Sequence, residues 1–266
     1  MNYNLLHILL ILPYCMVGLN LSAHDIEVPN ADGEMIYYSY FNDSTELAVA
    51  GGDFNIYTSM KTLVIPDEVT YDYNTLKVTS IGYGAFSFCP YVTSIAIPNS
   101  VTIIENDAFD NCTSLKFVII PNDVTTIGDF AFLECRNVTS VSIGSGVKNI
   151  GRKAFSGLNN LTDVICMAIA VPETANQTYN AFESSNFNAT LHVPEASLEA
   201  YQTTAPWSEF KNIVPITPSG INAQTATNQT TIVKCYDLTG RRASIPKRGV
   251  NILKVSDGTT KKVVVK

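Results

Sequence analysis

Residues 101–123 read VTIIENDAFDNCTSLKFVIIPND, and the same chemistry returns on both sides of them without a gap. VTSIGYGAFSFCPYVTSIAIPNS precedes this unit from Val78, VTTIGDFAFLECRNVTSVSIGSG follows from Val124, and VKNIGRKAFSGLNNLTDVICMAI from Val147. The period is 23 residues. Val78, Val101, Val124 and Val147 open the units, and Ile81, Ile104, Ile127 and Ile150 follow three places later. The pair Ala-Phe then recurs at Ala85-Phe86, Ala108-Phe109, Ala131-Phe132 and Ala154-Phe155. A unit this short cannot bury its own apolar face, so successive units must stack and lend each other a continuous core. The pattern predicts a repeat solenoid.

The second half of each unit carries L-x-x-V-x-I, as in Leu115, Val118 and Ile120 or Val138, Val141 and Ile143. Its last two apolar residues lie two apart and predict a short strand with alternating faces. Pro98 and Pro121 close that strand, because proline donates nothing to a ladder. Gly82, Gly128 and Gly151 mark bends, with Glu105 interrupting the column. The Ala-Phe segment is expected to be short helical or irregular, with phenylalanine filling the interior. The fold class is therefore mainly β, with short helical or irregular segments.

A unit such as VTSIGYGAFSFCPYVTSIAIPNS resembles the BspA-like leucine-rich repeat, over roughly Leu63 to Ile169. The resemblance implies a leucine-rich-repeat solenoid, secreted or surface-exposed, that usually lacks enzymatic chemistry. Adhesion or protein binding follows from it as a family tendency.

Outside the array the columns loosen. Leu5 to Val17 are almost wholly apolar, and Ser22 and Ala23 precede the polar His24, so residues 1–23 read as a secretory signal peptide. Acylation at Cys15 is the competing reading of that leader. Residues 24–59 are expected to form an N-terminal cap with a few strands, and residues 60–214 the solenoid with its closing cap. In that closing cap Leu198 and Tyr201 lie at helical spacing, and Trp207, the one tryptophan, plugs the last coil. Residues 215–231 are rich in Thr, Asn, Gln and Pro and read as a linker. Residues 232–266 hold nine Lys or Arg against two Asp, hence +7. The whole chain is −7, which leaves −14 for the rest. Such asymmetry marks a separate unit, expected to be a small C-terminal β unit with Asp257-Gly258 as a tight turn. Its YDLTGRR at Tyr236 and terminal KKVVVK resemble the sorting domain of the type IX secretion pathway of Bacteroidetes. That resemblance implies passage across an outer membrane; a small basic β domain without a sorting role is the alternative.

The composition excludes more than it assigns. With 46% hydrophobic and 15% charged residues the chain is too apolar to be disordered, and its net negative charge argues against nucleic acid as a partner. Apart from the leader, no apolar run is long enough to span a membrane. Neither His24 nor His192 has a partner at a useful spacing, and no nucleophile elbow, zinc-spaced pair or phosphate loop is present. No catalytic residue, cofactor or metal ligand is assigned, and the chain is not expected to be an enzyme. Cys89, Cys112 and Cys135 share the repeat's period and give way to Leu158, which reads as a column of small buried residues rather than a metal site or a disulfide.

Any binding surface should lie on the strand ladder. The outward positions of L-x-x-V-x-I place Thr62, Ser94, Phe117, Ser140 and Asp163 in one column, and Val64, Ala96, Ile119, Ser142 and Ile165 in the next. Phe117, Ile119 and Ile165 are expected to be exposed, as apolar patches at interaction sites are. The expected partner is an extracellular protein, with the chain secreted or on the outer cell surface. A cell-envelope spacer or a glycan-binding module is the alternative, for which Tyr71, Tyr73 and Tyr91 are the aromatic candidates.

Overall fold

The computed structural model describes residues 25–30, 32–51, 57, 59–174 and 180–216, together with the backbone of four strands between 232 and 265. The expected leader, most of the expected linker and the Asp257-Gly258 turn lie outside the described residues. The chain folds as a β-solenoid whose coils follow the 23-residue period. Val-x-x-Ile at the start of each unit forms one parallel ladder. It runs from Glu46–Val49 through Asn74–Ile81, Ile103–Ile104, Thr126–Ile127 and Asn149–Ile150 to Glu173–Thr174. The second half of each unit builds another. Phe117–Ile119, Ser140–Ile143, Asp163–Cys166, Thr190–Pro194 and Asn212–Ile216 pair in parallel, and Thr62–Val64 pairs separately with Ser94–Ala96.

The Ala-Phe segment is neither helix nor strand. Residues seven and eleven of each unit sit in the left-handed region: Asp107 and Asn111 at φ 57°, Phe130 at 59° and Glu134 at 56°. This kinked backbone aims alternate N–H groups at the following coil. Phe86, Phe109 and Phe132 donate to Ala108, Ala131 and Ala154 carbonyls at 2.8, 2.7 and 2.7 Å. Buried backbone groups need such partners, so inter-coil hydrogen bonding, rather than local propensity, holds the left-handed residues in place.

Inside, the columns coincide with the sequence columns. Phe86, Phe109, Phe132, Phe155 and Phe182 are fully buried and stack in file, with ring centroids 5.0–5.4 Å apart and planes within 5–17°. The coils come close at the first corner. A Cβ on Gly128 would meet the Asn106 nitrogen at 2.5 Å, and one on Gly151 the Asp129 nitrogen at 2.4 Å. Glu105 stands where those glycines stand, and its carboxylate accepts the Ser80 hydroxyl and the Tyr83 N–H, both at 3.1 Å.

Both ends of the pile are closed. Ile26–Pro29, Met35–Phe41 and Glu46–Val49 form an antiparallel meander that begins the first ladder. Its outermost strand is guarded by a charge, Glu27, and a proline, Pro29, which is how edge strands avoid pairing with other chains. At the other end the helix Leu198–Thr203 lays Tyr201 on the last coil, and Trp207 is completely buried against it. Trp207 Nε1 donates to the Pro172 carbonyl at 3.4 Å, and the Tyr201 hydroxyl to that of Ala168 at 2.8 Å. The final solenoid strand continues to Ile216, two residues into the stretch expected as linker, because Pro215 sits on the outermost strand of its ladder.

The C-terminal unit is an antiparallel sheet of Ile232–Asp237, Arg242–Ala243, Gly249–Val255 and Thr260–Val265. Arg242–Ala243 and Gly249–Val255 flank Ile232–Asp237, and Thr260–Val265 lies beyond Gly249–Val255.

Candidate interaction surface

The strand register assembles the two expected columns. Thr62 stands beside Ser94 and Val64 beside Ala96. Phe117, Ser140 and Asp163 align, as do Ile119, Ser142 and Ile165. Between these two groups the strand pairing lapses, since Ser94–Ala96 and Phe117–Ile119 belong to different sheets. A 3.3 Å bond from Lys116 N–H to the Thr93 carbonyl crosses that seam. Ile95 beside it is half-buried, whereas its counterparts Val118 and Val141 are buried.

The structure also lengthens both columns. Thr190 and Asn212 continue the first, and His192 and Val214 the second. Sequence periodicity missed these four because the spacing changes: Asp163 to Thr190 is 27 residues and Thr190 to Asn212 is 22. The alternation in TLHVP was the available signal.

The expectation that Phe117, Ile119 and Ile165 stand exposed needs correction, for all three are half-buried. Parallel strands lie ~4.8 Å apart, so a large side chain in a column is flanked by the neighbours above and below it. Of the ten expected face residues only Thr62, on the outermost strand, is exposed. The face is a mixed surface and not an apolar patch.

Beside it runs a polar margin. Backbone N–H groups of Thr93, Lys116, Thr139 and Thr162 each donate to the same position of the preceding coil. The hydroxyls of Thr93, Thr139 and Thr162 donate to the Lys61, Lys116 and Thr139 carbonyls at 3.0, 3.2 and 2.9 Å. These threonines are thus committed to the scaffold. The charged feature of the face is Asp163, whose Oδ1 lies 3.3 Å from His192 Nε2 and whose Oδ2 lies 2.8 Å from the Thr162 hydroxyl and shares its proton with the Thr139 carbonyl.

The large exposed apolar side chains lie elsewhere. Tyr73 is fully exposed, and Tyr71 44% exposed, on the hairpin formed by Glu68–Tyr71 and Asn74–Ile81. Tyr91, the third expected aromatic, is 62% exposed on the first regular coil, together with Tyr83 and Phe88, which sequence reading passed over. The same positions in later coils hold Asn106, Asn111 and Ser114, then Asp129, Glu134 and Asn137. That contrast was visible once the units were aligned.

The cysteine column proves to be part of the backbone's hydrogen bonding. Cys112 Sγ donates to the Phe86 carbonyl and Cys135 Sγ to that of Phe109, both at 3.2 Å. In the last coil Ser185 Oγ gives the Phe155 carbonyl the same service at 2.5 Å. Cys89, Cys112, Cys135 and Cys166 are free and buried. Burial pushes the Cys89 thiol up to about 12. Hydrogen bonding with Cys135 and burial hold the Cys112 thiol well above its ordinary value. Thiols kept protonated are poor nucleophiles and poor metal ligands. Among the described residues no group of three or more His, Cys, Asp or Glu is placed to hold a metal ion, and no helix is long and apolar enough to cross a membrane.

Residues 79–205 match, in six copies, the family model described as a BspA type leucine rich repeat region. The structure is similar to that of a leucine rich repeat protein of T. pallidum, with a TM-score of 0.51 at 18% identity over 68% of this chain and 80% of that one. It is also similar to the pneumococcal vaccine antigen PcpA, with a TM-score of 0.44 at 19% identity over 65% of this chain and 51% of that one. A leucine rich cell surface protein of Faecalibacterium prausnitzii A2-165 gives 0.41 at 20% identity, over 90% and 61%. The chain thus spans between half and two thirds of the latter two. No curated protein sequence matches it. At these identities the likeness is one of fold.

Proposed function

We propose that this chain, a leucine-rich-repeat protein of the BspA type over residues 79–205, is a secreted or cell-surface scaffold that binds an extracellular protein through its strand face and does no covalent chemistry. The observation that carries the reading is the seven-strand row from Thr62–Val64 to Asn212–Ile216. It offers outward columns of unlike residues on a frame whose inward columns barely vary. Such a frame lets the outer side chains change without cost to the core. Export by the leader and sorting by the C-terminal unit belong to the same proposal, supported by the resemblances at residues 1–23 and 232–266.

The test is binding of the purified chain to extracellular-protein and glycan arrays, repeated with Phe117→Ala, Ile119→Ala and Ser142→Arg. Binding to proteins that falls at least about tenfold in one of these variants, as loss of a central contact produces, with an unchanged melting temperature, supports the reading. Binding that survives all three overturns the assignment of the face. A second reading, glycan binding, rests on the exposure of Tyr83, Phe88 and Tyr91 on one coil; glycan hits abolished by Tyr91→Ala would favour it.

A further inference from the structure

The first end of the solenoid carries a feature that the repeat does not call for. Residues 70–77 interrupt the period and project as a hairpin closed at Tyr71 opposite Asn74. Its two turn residues, Asp72 and Tyr73, both lie in the left-handed region, at φ 48° and 63°. That is the pattern of a type I′ turn, which favours Asn-Gly or Asp-Gly. An aromatic residue in the glycine place is disfavoured by its own backbone, and its ring packs on nothing, being fully exposed. The turn is otherwise well built: the Thr70 and Thr75 hydroxyls lie 2.8 Å apart, and Asn74 Nδ2 donates to the Asp72 carbonyl at 3.1 Å. A tyrosine exposed in water, at a site where glycine would fold better, has the character of an interface anchor.

Charge says what. Residues 25–77 hold ten Asp or Glu and two Lys. The hairpin strand Glu68–Tyr71 lies close to the outermost cap strand Ile26–Pro29, so Glu68 and Asp72 share this end with Asp25 and Glu27. A surface combining carboxylates with exposed tyrosine rings suits cations on an extended or β-structured segment, through ion pairs and cation–π contacts. The chain contains such a segment. Its C-terminal unit is +7, and its backbone register pairs the position of Lys234 with that of Lys254.

We infer that the acidic, tyrosine-bearing end of the solenoid is the docking surface for the chain's own basic C-terminal unit. The tether is long enough. Fifteen residues, 217–231, separate the last solenoid strand from Ile232, and at ~3.3–3.6 Å each they reach about 50 Å. Seven strands spaced ~4.8 Å apart put Thr62–Val64, the strand that leads into the hairpin, about 30 Å from the strand Asn212–Ile216.

The experiment uses the full chain with a protease site inserted within 217–231. After cleavage the basic unit stays with the solenoid on gel filtration in ~50 mM salt and leaves it in ~1 M salt, where the screening length is ~3 Å. Tyr73→Gly weakens retention about tenfold or more while leaving the solenoid's melting temperature equal or higher, and Tyr73→Phe retains the basic unit. Glu68→Lys with Asp72→Lys releases it at low salt. Separation of the unmodified pieces at low salt, or retention undiminished in Tyr73→Gly, overturns the inference. A complex that elutes with twice the chain's mass assigns the contact to a second copy and overturns docking within one chain.

Discussion

The middle of the solenoid and its two ends solve opposite problems with the same residue type. In the middle, rings of Phe86 through Phe182 lie nearly parallel, and each offers its face to the next. At the ends the rings turn. Tyr57 meets Phe86 at 48°, while Trp207 and Phe210 meet Phe182 at 65° and 80°. A parallel ring invites another coil, and a ring set edge-on ends the file while still gaining the favourable edge-to-face contact. The comparison teaches that the repeat encodes continuation. Termination needs residues that violate it.

The largest effect that can test this is removal of one ring from each region. Phe132→Ala leaves a cavity with coils packed on both sides and should cost about 3–5 kcal/mol, read as a fall in the urea midpoint with the transition still single. Trp207→Ala removes a comparably large buried side chain, but only one side of it is solenoid. Its expected signature is a broadened transition, with amide exchange accelerated from Asp163 to Ile216 and not at Val78 to Ile120. If Phe132→Ala frays one end while Trp207→Ala lowers the whole transition uniformly, the distinction between continuing and terminating rings fails.

How much of this was legible follows the same division. Val, Ile, Ala and Phe columns announced the coils because each coil's environment is a copy of itself, so identical surroundings select identical residues. The closing helix and Trp207 were legible too, since an apolar residue without a period has to be a plug. Two things were not. The left-handed backbone at Phe88 and Phe130 has no signature in residues that normally avoid it, because the stabilising partner is a carbonyl one coil away. The half-burial of Phe117 and Ile119 depends on neighbours 23 residues distant on either side, which a pattern marking them merely as outward does not report.

A smaller effect probes why the thiol belongs to the middle. Cys112→Ala removes the donor to the Phe86 carbonyl as well as a little volume, and should cost about 1–3 kcal/mol for the unsatisfied buried acceptor. Cys112→Ser restores a donor in nearly the same place, and should recover part of that cost, as the Ser185 hydroxyl's bond to the Phe155 carbonyl suggests. Equal destabilisation by Ala and Ser in urea titration would mean that the column is selected for apolar volume alone, as Leu158 in the fourth unit would then exemplify.

The smallest effect concerns the outward side of the same central coils, where the sequence varies. Asp110 is buried on that side, and burial raises its carboxyl above the ordinary value; the Asn111 side chain, donating at 2.9 Å, opposes the shift, and Asp107 and Glu134 nearby add to it. Burial, followed by the charge of Asp129, raises Asp107 as well. A carboxyl whose pKa is higher folded than unfolded binds its proton more tightly in the folded state. Its contribution is therefore most favourable below the unfolded value and is lost as pH rises through the folded one. Neutral pH is thus the unfavourable side for both groups. Asp110→Asn, which keeps the acceptor oxygen without the charge, should raise the melting temperature slightly at pH 7, and the advantage should shrink as the pH is lowered toward 4. A loss of stability at pH 7 would instead mean that the Asn111 bond to the charged carboxylate outweighs its desolvation. The outer columns would then be as constrained as the inner ones, and the contrast between a fixed interior and a variable exterior would not hold in the second coil.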